Sequence, residues 1–362
     1  MNVFVRQTGS QNGGSTATRT TCLITLFISI LLPEVLTGCG EPHSDRTSLQ
    51  DKAVTASNPP PDHARFRMSW LPSSEYAGII VALHNGEYSK RHIDCSIEPG
   101  GVGLNSIQLV ASGADDFGLA GGDSLLVARS RGIPVEAFAT EFHVSPQVFF
   151  ARTSSGIKTP QQFPGHSVGI KVGKTAETLY HALVGKLGID TTNIHEVPVK
   201  AGMQQFFAGQ VDVWPGFIFD EAEDARAQGI PINLIQPSDY GIVLYSDVIF
   251  AADMTIQEKP DLVRRLLAAT QAGWAWTQEH PDEALKIVLS TYRDLDPAHE
   301  KTRLSGAIPL IVGSTGHRVH PIGRMDPMVW DAMYRMLDSQ HLLKDSFPVT
   351  SAYTTKFLKD GS

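Results

Sequence analysis

Short apolar runs that suit β-strands alternate with amphipathic segments that suit helices from about residue 66 onward. This alternation is typical of an α/β protein whose sheet is mostly parallel. The first strand is expected to begin at Phe66. The later strands are predicted at 93–99, 117–120, 135–139, 148–151, 167–172, 196–199, 211–217, 232–235 and 248–251.

Helices are predicted between these strands and, almost without interruption, after the last of them. Asn105 is placed to cap one helix, because its side-chain oxygen can accept a hydrogen bond from the first turn. The predicted helices start at Ala77 and then occupy 106–111, 125–131, 176–187, 203–208, 220–228, 260–280, 282–291, 297–310 and 328–337. Trp274 and Trp276 fall inside one of them and are expected to serve packing.

The strand at 148–151 is positioned to leave one α/β lobe, and the strand at 248–251 to return to it. Residues 65–148 plus 248–362 are therefore predicted as lobe 1, and residues 149–247 as lobe 2. Two α/β lobes joined by two crossing strands suit a hinged clamshell that encloses a ligand.

The first 39 residues predict a targeting segment. Arg6 and Arg19 precede an apolar run at 22–32, which is too short to span a bilayer and fits a signal-peptide core. The run is followed by Leu-Thr-Gly-Cys39, which resembles a bacterial lipobox, and that resemblance implies that Cys39 is lipidated and anchors the mature chain. An ordinary secretory signal with an incidental cysteine is the alternative.

Residues 40–64 are polar and Pro-rich, as expected of a disordered tether.

Composition narrows the class of protein. The chain has 362 residues and a net charge of -8 without a clustered basic face, so we expect no nucleic-acid partner. Cys22 and Cys39 lie in the targeting segment and only Cys95 lies in the body, which excludes a disulfide framework there.

Candidate ligand contacts lie on strand-to-helix loops, where helix N-termini present free N–H groups and ligands collect. Aromatic rings at these positions can stack on a flat ligand, and carboxylates can accept hydrogen bonds from it. For each aromatic residue the alternative is a place in the core, and for Glu221 it is a helix N-terminal charge without a ligand. The candidates are Trp70, Glu75, Tyr76, Asn105, Asp123, Ser124, Gly173, Lys174, Thr175, Trp214, Phe217 and Glu221.

Other chemistry is not indicated. A phosphate loop ending at Gly173-Lys174-Thr175 would need a glycine at Val168. His317 and His320 lack a nearby carboxylate and are expected to be solvated, so no metal is predicted. The sequence has no Gly-x-Ser-x-Gly elbow, and Cys95 has no positioned base. The residues therefore predict a binding protein with no cofactor, not an enzyme.

Several short motifs resemble the solute-binding proteins of ABC importers, in the branch of thiamine-pyrimidine-precursor, riboflavin, alkanesulfonate, taurine and nitrate binders. The resemblance covers about residues 66–358. It rests on Trp70-x-Pro72 with the segments 77–79, 82–88, 113–118, 128–135, 209–212, 229–231 and 237–242.

The resemblance implies a type II-like periplasmic-binding-protein clamshell that works as a monomer in the periplasm or outside the cell. The partners it implies are a permease, an ATPase on another chain, a small-molecule ligand, and the membrane through the lipid anchor. Segments 237–242 and 246–250 look most like the pyrimidine-precursor and riboflavin branch, whose ligand is a flat nitrogen heterocycle. This similarity adds Tyr245 and Asp247 to the candidate contacts.

Two alternatives stay open. A sulfonate, taurine or nitrate binder of the same family would need an anion-holding loop in place of stacked aromatics. An exported enzyme of pyrimidine metabolism would use the same fold, but the related eukaryotic enzymes carry a cysteine-rich motif that this chain lacks. The segment Trp214-Pro215-Gly216-Phe217 departs from the small or polar residues usual in the family, which leaves the ligand's identity open.

Overall fold

The computed structural model describes residues 59–200, 202–311 and 323–358. Residues Asn58–Ser362 form one compact unit. The predicted targeting segment with Cys39, most of the predicted tether, and His317 and His320 lie outside the described residues. Within the described ranges, no helix combines the length and the apolar character that crossing a membrane requires.

Ten strands are present in the described chain. They are β1 (Asp62–Arg67), β2 (Ile93–Glu98), β3 (Phe117–Ala120), β4 (Val135–Thr140), β5 (Gln147–Arg152), β6 (Ser167–Ile170), β7 (His195–Pro198), β8 (Val213–Phe217), β9 (Ile232–Ile235) and β10 (Val248–Ala252).

The helices of the described chain surround these strands. They are α1 (Ala77–His84), α2 (Ser106–Ala111), α3 (Gly122–Ser130), α4 (Thr175–Lys186), α5 (Gln204–Phe207), α6 (Glu221–Ala227), α7 (Asp253–Glu258), α8 (Pro260–Glu279), α9 (Pro281–Thr291), α10 (Pro297–Ile311) and α11 (Pro327–Ser339).

The strands form two five-stranded sheets. The first has the order β2-β1-β3-β10-β4, and the second has the order β7-β6-β8-β5-β9. Three neighbouring strands in each sheet are parallel, whereas β10 and β5 run antiparallel to both of their neighbours. The chain crosses between the sheets twice, from β4 to β5 and from β9 to β10. This is the two-lobed α/β arrangement expected from the sequence.

Several element boundaries differ from the sequence-based expectation. β1 begins at Asp62, inside the predicted tether, because residues 62–67 pair in register with β2. α3 begins at Gly122, so Asp123 lies in the first turn of a helix and not in the preceding loop. The short helix α7 was not predicted. Asn105 caps α2 as expected, and its side chain accepts a 3.2 Å hydrogen bond from the backbone N–H of Gln108.

Close packing of α1 on α8 fixes the helix that follows the first loop. A Cβ atom built on Gly78 would lie 2.1 Å from the Trp274 ring, and one on Gly273 would lie 2.0 Å from the Gly78 carbonyl oxygen. Two glycines therefore let the helix backbones approach, and Trp274 fills the space beside them as expected for a packing residue. This contact holds the start of α1, and the loop before it, in a defined place.

Candidate functional site

The loop after β1 brings a serine, a tyrosine and a glutamate together. The hydroxyl groups of Ser69 and Tyr76 lie 2.8 Å apart, and Glu75 and Tyr76 are both buried. Ser74 secures the loop from the other side, because its N–H and its hydroxyl both contact Glu300 of α10. Tyr76 therefore presents its hydroxyl to a polar partner in the loop, and its ring is part of the core.

The two chain crossings meet beside this loop. The backbone N–H of Glu141, the residue after β4, donates a 2.9 Å hydrogen bond to the carbonyl oxygen of Asp247, the residue before β10. Thr140 donates to the same carbonyl oxygen at 3.1 Å. Further along, the hydroxyls of Ser145 and Ser246 lie 2.6 Å apart. The crossings are thus tied together where the first sheet ends.

Four buried carboxyl groups gather around this point: Glu75, Asp123, Glu141 and Asp247. Burial is the main reason that the pKa of Glu75 and of Glu141 is raised well above the ordinary value, and the charge of Asp247 adds to each rise. Burial likewise raises the pKa of Asp247 to about 7, although a hydrogen bond with Ser69 lowers it in part. Burial also raises the pKa of Asp123. Such clustering of perturbed acids is typical of functional sites.

These acids have little compensating positive charge. Among the residues that the structure describes, no lysine or arginine forms an ion pair with Glu75, Glu141 or Asp247. Arg303 lowers the pKa of Glu75 from a distance, but its guanidinium forms ion pairs with Asp220 and Glu300. A ligand that supplies hydrogen-bond donors or positive charge would stabilise the cluster.

Loops from the second sheet reach this region. The hydroxyl of Thr175, at the start of α4, donates a 3.0 Å hydrogen bond to Oδ1 of Asp123. The ammonium group of Lys174 lies 5.4 Å from the centre of the Trp70 ring, within range of a cation–π interaction. The predicted contacts of the first, third and fourth loops are therefore brought together across the two sheets.

The end of β8 and the start of α6 carry two more of the predicted ligand contacts, Phe217 and Glu221. The backbone N–H of Phe217 donates a 2.8 Å hydrogen bond to Glu221, which also forms an ion pair with Lys171. Phe217 and Trp70 are both partly buried against the core cluster of the first sheet. Phe217 also contacts the ring of Phe219 edge-on at 5.6 Å.

A charged network joins α6 to α10. The two ring nitrogens of His299 lie 2.8 Å from Asp220 and 3.2 Å from Asp224. Within the described ranges, these three side chains could together hold a metal ion. Arg303 forms an ion pair with Asp220 at 2.6 Å, and its positive charge would oppose a cation there. The arrangement therefore fits an ion-pair network better than a metal centre.

Other predicted contacts lie elsewhere. Trp214 is 1% exposed and packs with Phe206 in the core of the second sheet, because β8 turns this ring away from the first sheet. Tyr245 is also in the core, where its hydroxyl accepts a 2.6 Å hydrogen bond from Asp326 N and its ring packs on Trp330.

Three other predicted ligand contacts, Asn105, Gly173 and Ser124, belong to the first turns of helices or to the loops before them. Asn105 is occupied as a helix cap, and the N–H of Gly173 donates a 2.6 Å hydrogen bond to Glu177. Ser124 is half-buried in the first turn of α3, next to Asp123.

Sequence reasoning missed Ser69 and Glu141. Ser69 directly precedes Trp70, so the rule that favours residues at strand ends could have included it. Glu141 follows β4, but the segment after β4 is a crossing to the other sheet and not a strand-to-helix loop, so the rule that favours such loops did not include it. No local signal identifies Glu141, because β4 itself carries Glu136 and Thr140, so a charged residue after its end does not stand out.

Comparison with solved structures gives the class of this fold. The periplasmic aliphatic sulphonate binding protein SsuA from Escherichia coli superposes with a TM-score of 0.66 at 16% identity, covering 81% of this chain and 92% of that chain. The chain therefore has the periplasmic-binding-protein fold, with two α/β lobes.

The sequence comparison gives the family. Residues 73–284 match the family described as NMT1/THI5 like, and because this match spans more than half of the chain, the protein belongs to the NMT1/THI5-like family.

Individual relatives differ in what their names say they do. The chain is 26% identical over 349 residues to the riboflavin-binding protein RibY of Chloroflexus aurantiacus, covering 93% of this chain and 98% of the relative. It is 22% identical over 336 residues to the formylaminopyrimidine-binding protein of Halalkalibacterium halodurans, covering 92% and 98%. It is also 25% identical over 298 residues to the 4-amino-5-hydroxymethyl-2-methylpyrimidine phosphate synthase of Legionella pneumophila, covering 81% and 91%.

Proposed function

We propose that this protein is the solute-binding component of an ABC importer and captures a small flat nitrogen heterocycle between its two lobes. The observation that carries this proposal is the group of buried carboxyls, Glu75, Asp123, Glu141 and Asp247, together with the partly buried ring of Trp70 on the same loop as Glu75. Heterocycles with N–H groups suit both features, because the ring can stack on Trp70 and the N–H groups can donate to the carboxyls.

The same carboxyls disfavour the anion-binding alternative. A sulfonate or nitrate carries negative charge, so placing it beside the carboxylate of Asp247 costs Coulomb energy. The neighbours that bind sulfonates share the fold at 16% identity or less. Riboflavin and formylaminopyrimidine, which appear in the names of two relatives, are both flat nitrogen heterocycles.

A second candidate function is synthesis of a pyrimidine, because one relative is named as a phosphate synthase. The only cysteine of the described chain, Cys95, is buried in β2, and burial raises its pKa to about 12. A thiol held neutral in this way is a poor nucleophile. We therefore favour binding without turnover, and detection of product formation by the purified protein would favour the synthase.

The proposal includes the position of the protein in the cell. Residues 1–39 would direct export, Cys39 would carry the acyl chains, and residues 40–61 would link the anchor to the start of β1. Closure on the ligand would then present the protein to a permease whose ATPase is a separate chain. Mass spectrometry of the mature protein tests this point, since acylation should be found on Cys39 and should disappear in Cys39→Ala.

Calorimetry with a panel of compounds tests the binding function itself. The panel contains riboflavin, 4-amino-5-hydroxymethyl-2-methylpyrimidine, taurine and nitrate. We expect one of the two ring compounds to bind and taurine and nitrate to give no heat of binding. Binding of taurine or nitrate without binding of either ring compound would contradict the proposal and favour the anion-binding alternative.

A further inference from the structure

Glu141 is the most isolated buried acid of the cluster. It follows β4, its residue is 2% exposed, and neither of its carboxyl oxygens has a hydrogen-bond partner among residues 59–200, 202–311 and 323–358. The Trp274 indole lies close enough to lower the pKa of Glu141 in part, but the contact does not meet hydrogen-bond geometry. A buried polar group without a partner costs free energy, so a retained one points to a partner from outside.

Glu141 and Asp247 are neighbours on adjacent antiparallel chain segments. β4 and β10 pair Thr140 with Val248, and the hydrogen bond from Glu141 N to Asp247 O extends this pairing by one residue. Residues directly opposite each other on antiparallel strands direct their side chains to the same face. The two carboxyls therefore lie side by side.

Other groups face this pair from several elements. Glu141 is influenced by Asp247, Glu75 and Trp274, and Asp247 by Ser69 and Asp123. Glu75 is influenced by Asp247, Asp220, Glu221 and Arg303. Among these neighbours the acidic groups outnumber the one cation, Arg303. They therefore oppose the simultaneous ionisation of Glu141 and Asp247.

We therefore expect Glu141 and Asp247 to differ in protonation state at neutral pH. The pKa of Asp247 is about 7, whereas burial and the charges of Asp247 and Glu75 raise the pKa of Glu141 well above its usual range. A neutral carboxyl offers an O–H donor, and an ionised carboxylate offers acceptors only. Glu141 and Asp247 thus present a donor next to an acceptor.

We propose that Glu141 is a specificity-determining residue of the ligand cleft, whose carboxyl O–H donates to an acceptor atom on one edge of the heterocycle while Asp247 accepts from the N–H beside it. This inference rests on the proposed heterocycle-binding function and narrows its ligand class. The class comprises rings with a donor and an acceptor on neighbouring atoms of one edge. An amino group beside a ring nitrogen and an imide N–H beside a carbonyl both belong to it.

Substitutions at Glu141 separate this role from a purely structural one. Glu141→Gln keeps the length, the neutrality and a donor, so the affinity should stay within threefold of the wild type. Glu141→Leu removes the donor and puts an apolar side chain of similar size in its place. The affinity should therefore fall at least tenfold. Its melting temperature should stay equal or rise, because an unpartnered polar group is lost from the interior. Glu136→Gln is the matched control, since Glu136 is a partly buried acid at the other end of β4.

The experiment is calorimetric titration of the four proteins at pH 7.5 with riboflavin and with 4-amino-5-hydroxymethyl-2-methylpyrimidine. Wild-type affinity in Glu141→Leu would overturn the inference. A loss in Glu141→Gln as large as that in Glu141→Leu would also overturn it, because the ligand would then require an ionised carboxylate. Failure of both probes to bind the wild type, with taurine or nitrate binding instead, would overturn the proposed function from which the inference starts.

A second measurement does not depend on the folding of the leucine variant. Carboxyl signals of ¹³C-labelled glutamate in the wild type are recorded with and without the probe that binds, and the Glu141 signal is assigned by its absence from Glu141→Gln. We expect a protonated carboxyl at pH 7.5 whose signal moves on addition of the probe. An ionised signal, or one that the probe leaves unchanged, would contradict the proposed donor.

Discussion

The backbone N–H of Glu141 donates a 2.9 Å hydrogen bond to the carbonyl oxygen of Asp247. This bond joins the segment that leaves the first sheet to the segment that returns to it. In two-lobed proteins the few residues of such crossings absorb the change of backbone angles on closure. The acidic pair therefore lies at the hinge, where a ligand bound to it would directly influence the position of the lobes.

Trp70→Ala should weaken ligand binding with little loss of stability. Loss of one aromatic stacking partner costs about 1–3 kcal/mol for a flat ring, which corresponds to roughly 5- to 150-fold in the dissociation constant. Trp70 is only partly buried, so its removal should leave the core intact. Calorimetry and thermal unfolding check both parts. Trp276→Ala is the control, since Trp276 lies on α8 and its ring packs at an angle against His280. Unchanged affinity in Trp70→Ala would place this ring outside the ligand site.

Thr175→Ala should favour the open arrangement of the lobes. It removes the 3.0 Å hydrogen bond from the Thr175 hydroxyl to Asp123, which links the start of α4 to the first turn of α3. A net hydrogen bond contributes about 0.5–1.5 kcal/mol, so the ligand affinity should fall roughly 2- to 13-fold. Small-angle scattering should show a larger radius of gyration without ligand. Thr192→Ala, which removes a hydroxyl bonded to Asp190 within the second lobe, should change neither quantity.

Asp247→Asn should change how stability depends on pH in the absence of ligand. The folded pKa of Asp247 is about 7, against an ordinary value of 3.8, so the folded state binds more protons than the unfolded state between these values. Stability is therefore expected to fall as the pH rises from about 4 to about 7. The asparagine variant lacks this proton and should lose that part of the slope. Urea unfolding at several pH values measures it, and an equal slope in both proteins would argue against the raised pKa.

His299 should give a pH effect through the network that joins α6 to α10. Its hydrogen bond with Asp220 raises the pKa of the imidazole above its ordinary value. The charged imidazole stabilises the folded state fully below the ordinary pKa of about 6.5, and this contribution is lost as the pH rises through the raised folded value. NMR titration of the ring protons should show the raised pKa in the wild type. Its return to the ordinary value in Asp220→Asn would identify Asp220 as the cause, and no change would contradict this explanation.

Gly78→Ala should destabilise the protein through the contact between α1 and α8. The added methyl group would overlap the Trp274 ring, and overpacking of this kind costs about 1–3 kcal/mol. Gly185→Ala is the matched control, since Gly185 lies in α4 with open space around it. That substitution should stabilise the protein by about 0.5–1 kcal/mol, because glycine is unfavourable inside a helix. Chemical unfolding of both variants makes the comparison, and a neutral Gly78→Ala would show that α8 can shift.

The alternation of strands and helices, and the two lobes, could be predicted because each element carries its own apolar period and its own turn residues. Asn105 defines the start of α2 in this way, and the structure has that helix at Ser106–Ala111. The antiparallel direction of β5 and β10 could not be predicted from the sequence. A strand's direction depends on which other strands it lies between in the sheet, and the local pattern does not contain that information. The pattern also gave no sign that Trp214 faces the core of the second sheet, since a strand-end position does not say which face a side chain occupies.

The acidic cluster was only partly accessible from the sequence. Glu75, Asp123 and Asp247 were selected individually, from loop position or from family resemblance. Their common burial depends on the meeting of β1, β3 and β10, and β10 is far from the other two strands along the chain. Glu141 acquires its importance only from the hydrogen bond to Asp247, so residue type and local pattern could not have identified it.

The most direct test of the central claim is native mass spectrometry of the protein as purified from its own cells, followed by release and identification of the bound compound. We expect a flat nitrogen heterocycle with a hydrogen-bond donor and an acceptor on one edge, present in the wild type and depleted in Trp70→Ala. A sulfonate, taurine or nitrate as the released compound, with no ring compound, would contradict the account.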